Sequence, residues 1–124
     1  MTADAISELW AGLKQSYLDD YDMMLSGYIP GAAAVEAVGR IAEELKARAA
    51  ARPGRFFWVL DPVMGDNGSL YVAEDVVPAY KRLLAHADLI LPNQFEAEYV
   101  FPLARYWPFF FSFFLFGVCI VAML

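Results

Sequence analysis

The stretch Phe56-Phe57-Trp58-Val59-Leu60 is apolar at every position and stops abruptly at Asp61-Pro62. A strand with one solvated face alternates apolar and polar residues, so an unbroken run fits a parallel-sheet strand covered by helices on both faces. Parallel neighbours are joined by long crossovers, usually helical, and the flanking sequence supplies them. From position 32 to about 51 strong helix formers dominate, with Val35, Val38, Ala42, Leu45 and Ala49 on one face and Arg and Glu opposite. Arg52-Pro53-Gly54 closes that helix. On the other side, Val76, Val77, Tyr80, Leu83 and Leu84 form the apolar set of a helix spanning about 73 to 85.

The same reading extends outward. Ile6, Leu9, Trp10, Leu13 and Tyr17 recur at three- and four-residue steps, which predicts a first helix capped by Thr2 or Asp4. Met23-Met24-Leu25 reads as a buried strand ending at Ser26-Gly27-Tyr28, with Pro30-Gly31 turning the chain. Asp88-Leu89-Ile90-Leu91 is a third short strand; Pro92 breaks it and Asn93 opens another helical segment. Strand, helix, strand, helix, strand in this order predicts an α/β domain over residues 1–100, with an open, doubly wound parallel sheet. Ligands of such sheets bind at the carboxyl ends of the strands. Here those ends are Gly27-Tyr28, Asp61 to Asp66, and Asn93 to Glu96.

Each end has two readings. Asp61 and Asp66, two carboxylates across a turn, suit Mg²⁺ or a metal-bound nucleotide phosphate, yet Asp-Pro and Asp-Asn-Gly are also ordinary turn chemistry. Asn93 with Glu96 three residues on is the pattern of a capping box, and equally a helix start placed beside an anion and its metal. Tyr28 and Tyr71 can stack on a flat heteroaromatic ligand or stand half-buried at strand ends. His86, the only histidine, reads as a structural residue near a helix C-terminus. Neither a Walker-type phosphate loop nor a dinucleotide fingerprint occurs. All fifteen acidic residues lie between Asp4 and Glu98 against eight Lys and Arg, an acidic balance that argues against a nucleic-acid partner. The single cysteine, Cys119, excludes an internal disulfide and fits a reducing, cytoplasmic setting. The start carries no secretory leader pattern.

Read together, Ser26-Gly27-Tyr28, Asp61-Pro-Val-Met-Gly-Asp66, Gly68-Ser-Leu-Tyr-Val72 and Pro92-Asn-Gln-Phe-Glu-Ala-Glu98 resemble the middle of pyridoxal kinases, in order and with similar spacing. Hydroxymethylpyrimidine kinases share the start of the second motif and the end of the last, but not the Gly-Asp continuation followed by Leu-Tyr-Val. The resemblance implies a ribokinase-like fold, incomplete at both ends, and transfer of the ATP γ-phosphoryl group to the 5′-hydroxymethyl of a B6 vitamer with Mg²⁺. It implies that Asp61 and Asp66 lie near the phosphates and their cations, that Asn93 and Glu96 organise Mg²⁺, that Tyr71 belongs to a flap, and that Tyr28 lines the vitamin pocket. Family members often pair as homodimers, and they commonly carry Thr where this chain has Leu91. They also carry a Gly-rich motif whose Asp activates the substrate hydroxyl. No Gly-x-Gly-Asp occurs here, so the 124 residues alone are expected to be inactive.

After Tyr99 the family pattern gives way to an apolar tail, residues 101–124. Its last eighteen residues, 107–124, are uncharged and approach the ~30 Å thickness of a bilayer core, with Arg105, Tyr106 and Trp107 as interfacial anchors. Two expectations follow: a C-terminal membrane anchor on a kinase half-domain, or translated non-coding sequence that leaves a truncated, aggregation-prone product.

Overall fold

The computed structural model describes residues 1–51 and 55–100 and the backbone of Val121 and Ala122. Helix α1 (Ala3–Gln15) starts at Thr2, whose hydroxyl accepts a hydrogen bond from the Ala5 N–H at 3.2 Å and so satisfies one of the free amides of the first turn. Strand β1 (Met23–Ser26) leads to helix α2 (Ala32–Ala49), and β2 (Phe57–Leu60) leads through a hairpin of β3 (Gly65–Asp66) and β4 (Ser69–Leu70) to helix α3 (Val76–Leu84). Strand β5 (Leu89–Ile90) and helix α4 (Gln94–Val100) follow, and β6 (Val121–Ala122) runs antiparallel beside β5.

The main sheet has the order β1-β2-β5-β6, with β1, β2 and β5 parallel and in register from Met23 opposite Phe57 to Leu60 opposite Ile90. This is the α/β fold with a parallel sheet that the alternation of elements predicts. Its winding explains the packing. Three strands laid down in one direction put successive right-handed crossovers on one side, so α2 and α3 lie against each other, and α1 packs on α2. Trp58, Leu60 and Ile90 are fully buried in the same core cluster as Val35, Val76 and Tyr80.

Two expectations are corrected here. Met23 is 63% exposed, Leu25 70% and Phe57 42%, so among the described residues the alternate side chains of β1 and β2 face outward, and Met24, Ser26, Trp58 and Leu60 point to the helices. The unbroken apolar run therefore reflects apolar residues on both sheet faces, of which these helices cover one. On α1 the packed stripe is Ile6, Trp10 and Leu13, while Leu9 is exposed. Tyr17 lies beyond the helix at φ 57°, where the backbone has already left the helical path, and its ring is exposed.

Polar groups fix the element ends. The Asp88 carboxylate accepts from the Trp58 N–H at 2.8 Å and from Lys46 Nζ at 2.8 Å, tying the start of β2 to α2. Trp58 Nε1 donates to Ser26 Oγ at 3.0 Å inside the core. On the outer helices Glu44 accepts from the Trp10 indole N–H at 2.8 Å and meets Arg48 and Lys14. The Trp10 bond first, then Arg48 and Lys14, hold the Glu44 carboxyl down at about 2 from its ordinary 4.5. A depressed carboxyl contributes stability that is present above its unfolded pKa and lost as pH falls through the folded one. Glu44→Gln is thus expected to flatten the acid limb of stability between pH 4.5 and about 2, measured by urea unfolding at stepped pH. An unchanged limb would show that solvent screening cancels these contacts.

No helix among the described residues is long and apolar enough to cross a membrane. The tail at 101–124 lies outside the described residues apart from the backbone of β6.

Candidate functional site

The carboxyl ends of β1, β2 and β5 bring Gly27-Tyr28, Asp61-Pro62 and Pro92-Asn93 to one edge. Over this edge stands the β3–β4 hairpin, pairing Gly65 with Leu70 and Asp66 with Ser69. The sequence marks Asp66-Asn67-Gly68 as turn chemistry without revealing the two short strands it joins. Asn67 and Gly68 both take positive φ, 49° and 80°, the sign pattern of a two-residue hairpin turn matched to strand twist. The Asp66 carboxylate accepts from the Asn67 N–H at 2.7 Å, so Asp66 does turn work while staying exposed.

Asn93 and Glu96 form a reciprocal capping box at the start of α4. Asn93 Oδ1 accepts from the Glu96 N–H at 2.9 Å, and Glu96 Oε2 accepts from the Asn93 N–H at 2.9 Å. Both side chains also reach the hairpin. Glu96 Oε1 accepts from the Met64 and Gly65 N–H groups at 2.8 and 3.4 Å, and Asn93 Nδ2 donates to the Gly65 carbonyl at 2.7 Å. Glu96 is 2% exposed, so these bonds form where water offers no substitute. The motif at 93–96 thus clamps the segment that begins the hairpin.

Asp61 is placed differently. Its N–H donates to Ser26 and its carbonyl accepts from Val63, but its half-buried carboxylate takes no hydrogen bond from the described residues. Burial first, and the Glu96 charge second, push its pKa up. Tyr71 follows the hairpin with an exposed ring, and its pKa is raised by desolvation and then by Glu96, Asp66 and Asp61. Tyr28 is exposed across the edge. The structure therefore gathers Tyr28, Asp61, Asp66, Tyr71, Asn93 and Glu96 at one edge, with negative charge concentrated there.

Among the described residues no three His, Cys, Asp or Glu side chains come together as a metal cage. Of the three carboxylates the sequence singles out, Glu96 has both oxygens engaged by amides, whereas Asp61 and Asp66 remain accessible. Mg²⁺ usually takes one or two carboxylates, retains waters and completes its shell with substrate phosphates. The donor set fits a cation that arrives with a polyphosphate.

No protein-family model matches the chain. Human pyridoxal kinase is 41% identical over 103 residues, which cover 79% of this chain and 32% of the human protein. The Leishmania donovani pyridoxal kinase solved with ADP and pyridoxamine superposes with a TM-score of 0.73 at 37% identity, over 81% of this chain and 35% of that one. The chain belongs to the pyridoxal kinase family. It spans about a third of the length of such relatives; the Dictyostelium discoideum pyridoxal kinase, 36% identical over 102 residues, is likewise matched over 81% of this chain and 32% of its own.

One residue beside the site is not marked as such by the sequence pattern. Tyr80 counted only as part of the apolar face of α3, yet its fully buried hydroxyl donates to the Gly27 carbonyl at 3.1 Å, next to Tyr28. A helical apolar stripe does not show which member carries a polar tip to a strand end. His86, just past the end of α3, is exposed, with Nε2 3.8 Å from a Glu43 carboxylate oxygen.

Proposed function

We propose that this chain carries the phosphate and vitamin edge of an ATP-dependent kinase acting on the 5′-hydroxymethyl of pyridoxal, pyridoxine or pyridoxamine in pyridoxal 5′-phosphate salvage. The observation that carries the reading is Asp61: a half-buried carboxylate without a hydrogen-bond partner among the described residues, beside the buried Glu96 and at the end of a parallel strand. Such a group is destabilised until a cation neutralises it. Asp61 and Asp66 would hold Mg²⁺ on the phosphates, Asn93 and Glu96 keep the hairpin in place, Tyr71 covers the edge, and Tyr28 lines the vitamin side. When bound, the cation neutralises the charge developing on the transferred phosphoryl group. The ADP bound by the Leishmania donovani relative supports a nucleotide ligand.

The 124 residues contain no Gly-x-Gly-Asp to supply a base for the substrate hydroxyl. The chain alone is therefore expected to bind Mg²⁺·ADP without forming pyridoxal phosphate from ATP and pyridoxal. Calorimetry with ADP, with and without Mg²⁺, and absorbance detection of pyridoxal phosphate check both halves. Asp61→Asn is expected to weaken Mg²⁺-dependent ADP binding by about tenfold or more, equivalent to ~1.4 kcal/mol. The same change should stabilise the free chain at neutral pH. With the native pKa raised, the native state binds more protons than the unfolded state just above the unfolded pKa. Stability is lost as pH rises through that window, and the cost is fully present above the folded pKa. ADP binding indifferent to Mg²⁺ and to Asp61→Asn would overturn the phosphate-edge reading, and turnover would overturn the binding-only part.

A further inference from the structure

We propose that Tyr80 is a positioning residue: its buried hydroxyl fixes the Gly27 to Ile29 turn so that Tyr28 is presented to the vitamin side of the site. This rests on the reading of Tyr28 as a wall of the vitamin pocket. The turn has little else to hold its backbone. Among the described residues no backbone–backbone hydrogen bond is made by Gly27, Tyr28, Ile29 or Pro30. Among the described residues, its chain neighbours apart, no atom stands within 4 Å of where a Gly27 Cβ would project. The Ile29 side chain is buried in the core, which anchors one side of Tyr28, and the Tyr80 hydroxyl holds the Gly27 carbonyl on the other at 3.1 Å. Burial drives the Tyr80 pKa up to about 12, with the backbone at Ile29 pulling the other way and Asp61, Glu96 and Tyr28 adding to the rise. The hydroxyl is a neutral donor at any physiological pH, and it sits beneath the charged edge.

Tyr80 also belongs to α3, which begins a few residues after Tyr71. The bond to Gly27 therefore links α3, the helix that follows the hairpin in the chain, to the strand end that bears Tyr28. Tyr80→Phe would keep the ring in the core and remove the hydroxyl's contacts with the Gly27 to Ile29 turn.

The experiment compares Tyr80→Phe with the unmodified 124-residue chain in pyridoxal binding by equilibrium dialysis, Mg²⁺·ADP binding by calorimetry, and amide exchange at Tyr28 and Ile29 by NMR. The expected result is pyridoxal binding weakened about five- to tenfold, the range of one neutral hydrogen bond, unchanged ADP affinity, and faster exchange at both amides. Tyr80→Phe in a Tyr28→Ala background should then have no further effect on pyridoxal, because the hydroxyl acts through that ring. A parallel loss of both affinities would mark Tyr80 as merely structural and overturn the proposal. So would unchanged exchange, or a full additional effect in the Tyr28→Ala background. If the unmodified chain binds ADP but no pyridoxal, the vitamin side of the proposed function fails. The exchange data then decide whether Tyr80 tethers the turn, and unchanged rates overturn that too.

Discussion

Glu96→Ala is expected to lower the unfolding free energy of the chain by at least about 3 kcal/mol, the largest loss of any single polar substitution here. Its two oxygens accept from three backbone N–H groups, those of Met64, Gly65 and Asn93, at a position 2% exposed. Removing the carboxylate strands these donors without an acceptor, and each buried unsatisfied donor costs ~1–3 kcal/mol. The loss is not spread evenly. One stranded donor belongs to the start of α4 and two to the segment entering β3, so the hairpin should lose its hold on the sheet edge before the core melts. Urea unfolding followed by circular dichroism gives the total, and amide exchange at Gly65 and Leu70 gives the local part. Glu96→Gln retains one acceptor oxygen and turns an amide toward the remaining N–H groups, so it should fall between wild type and alanine. A Glu96→Ala chain as stable as wild type would show that water or a rearranged side chain satisfies those amides, and the clamp would not be what holds the hairpin.

This clamp shows how far sequence reading reaches. The Asn93 to Glu96 spacing identifies a capping box because both partners lie within one helical turn, where residue separation fixes distance. Its bonds to Met64 and Gly65 cross the hairpin and thirty residues of chain, and no local pattern encodes that. The ordered motifs place Tyr28, Asp61, Asp66, Tyr71, Asn93 and Glu96 on one sheet edge because parallel topology brings carboxyl ends together. The different states of the carboxylates are invisible in the sequence: Glu96 hydrogen-bonded through both oxygens, Asp66 engaged in a turn, Asp61 without a hydrogen-bond partner among the described residues. The helices and the three parallel strands were legible from their apolar patterns, but the strands of the hairpin and the exposure of Met23, Leu25 and Phe57 were not. An apolar strand reads alike whichever sheet face the described helices cover.

Gly65→Ala tests the same edge by steric means and should cost ~1–3 kcal/mol, the range for forcing an extra methyl into a filled space. A Cβ at Gly65 would collide with the Ser69 backbone oxygen and the Phe95 ring and would lie 3.0 Å from Leu70 Cα. Two of these neighbours are backbone atoms of the paired strand, so no rotamer change relieves them. The hairpin must open or Phe95 must leave its place on α4. Either movement draws Gly65 from Glu96 and Asn93, so the methyl group attacks the clamp without touching a polar atom. Gly68→Ala is the control: it sits at φ 80° with open space around it, so its cost is that of a left-handed backbone alone, ~1–2 kcal/mol. If hairpin position governs the phosphate edge, Gly65→Ala should weaken Mg²⁺·ADP binding more than Gly68→Ala at matched stability. Equal binding by the two variants, with Gly65→Ala less stable, would mean that the hairpin supports the fold and contributes nothing to the nucleotide.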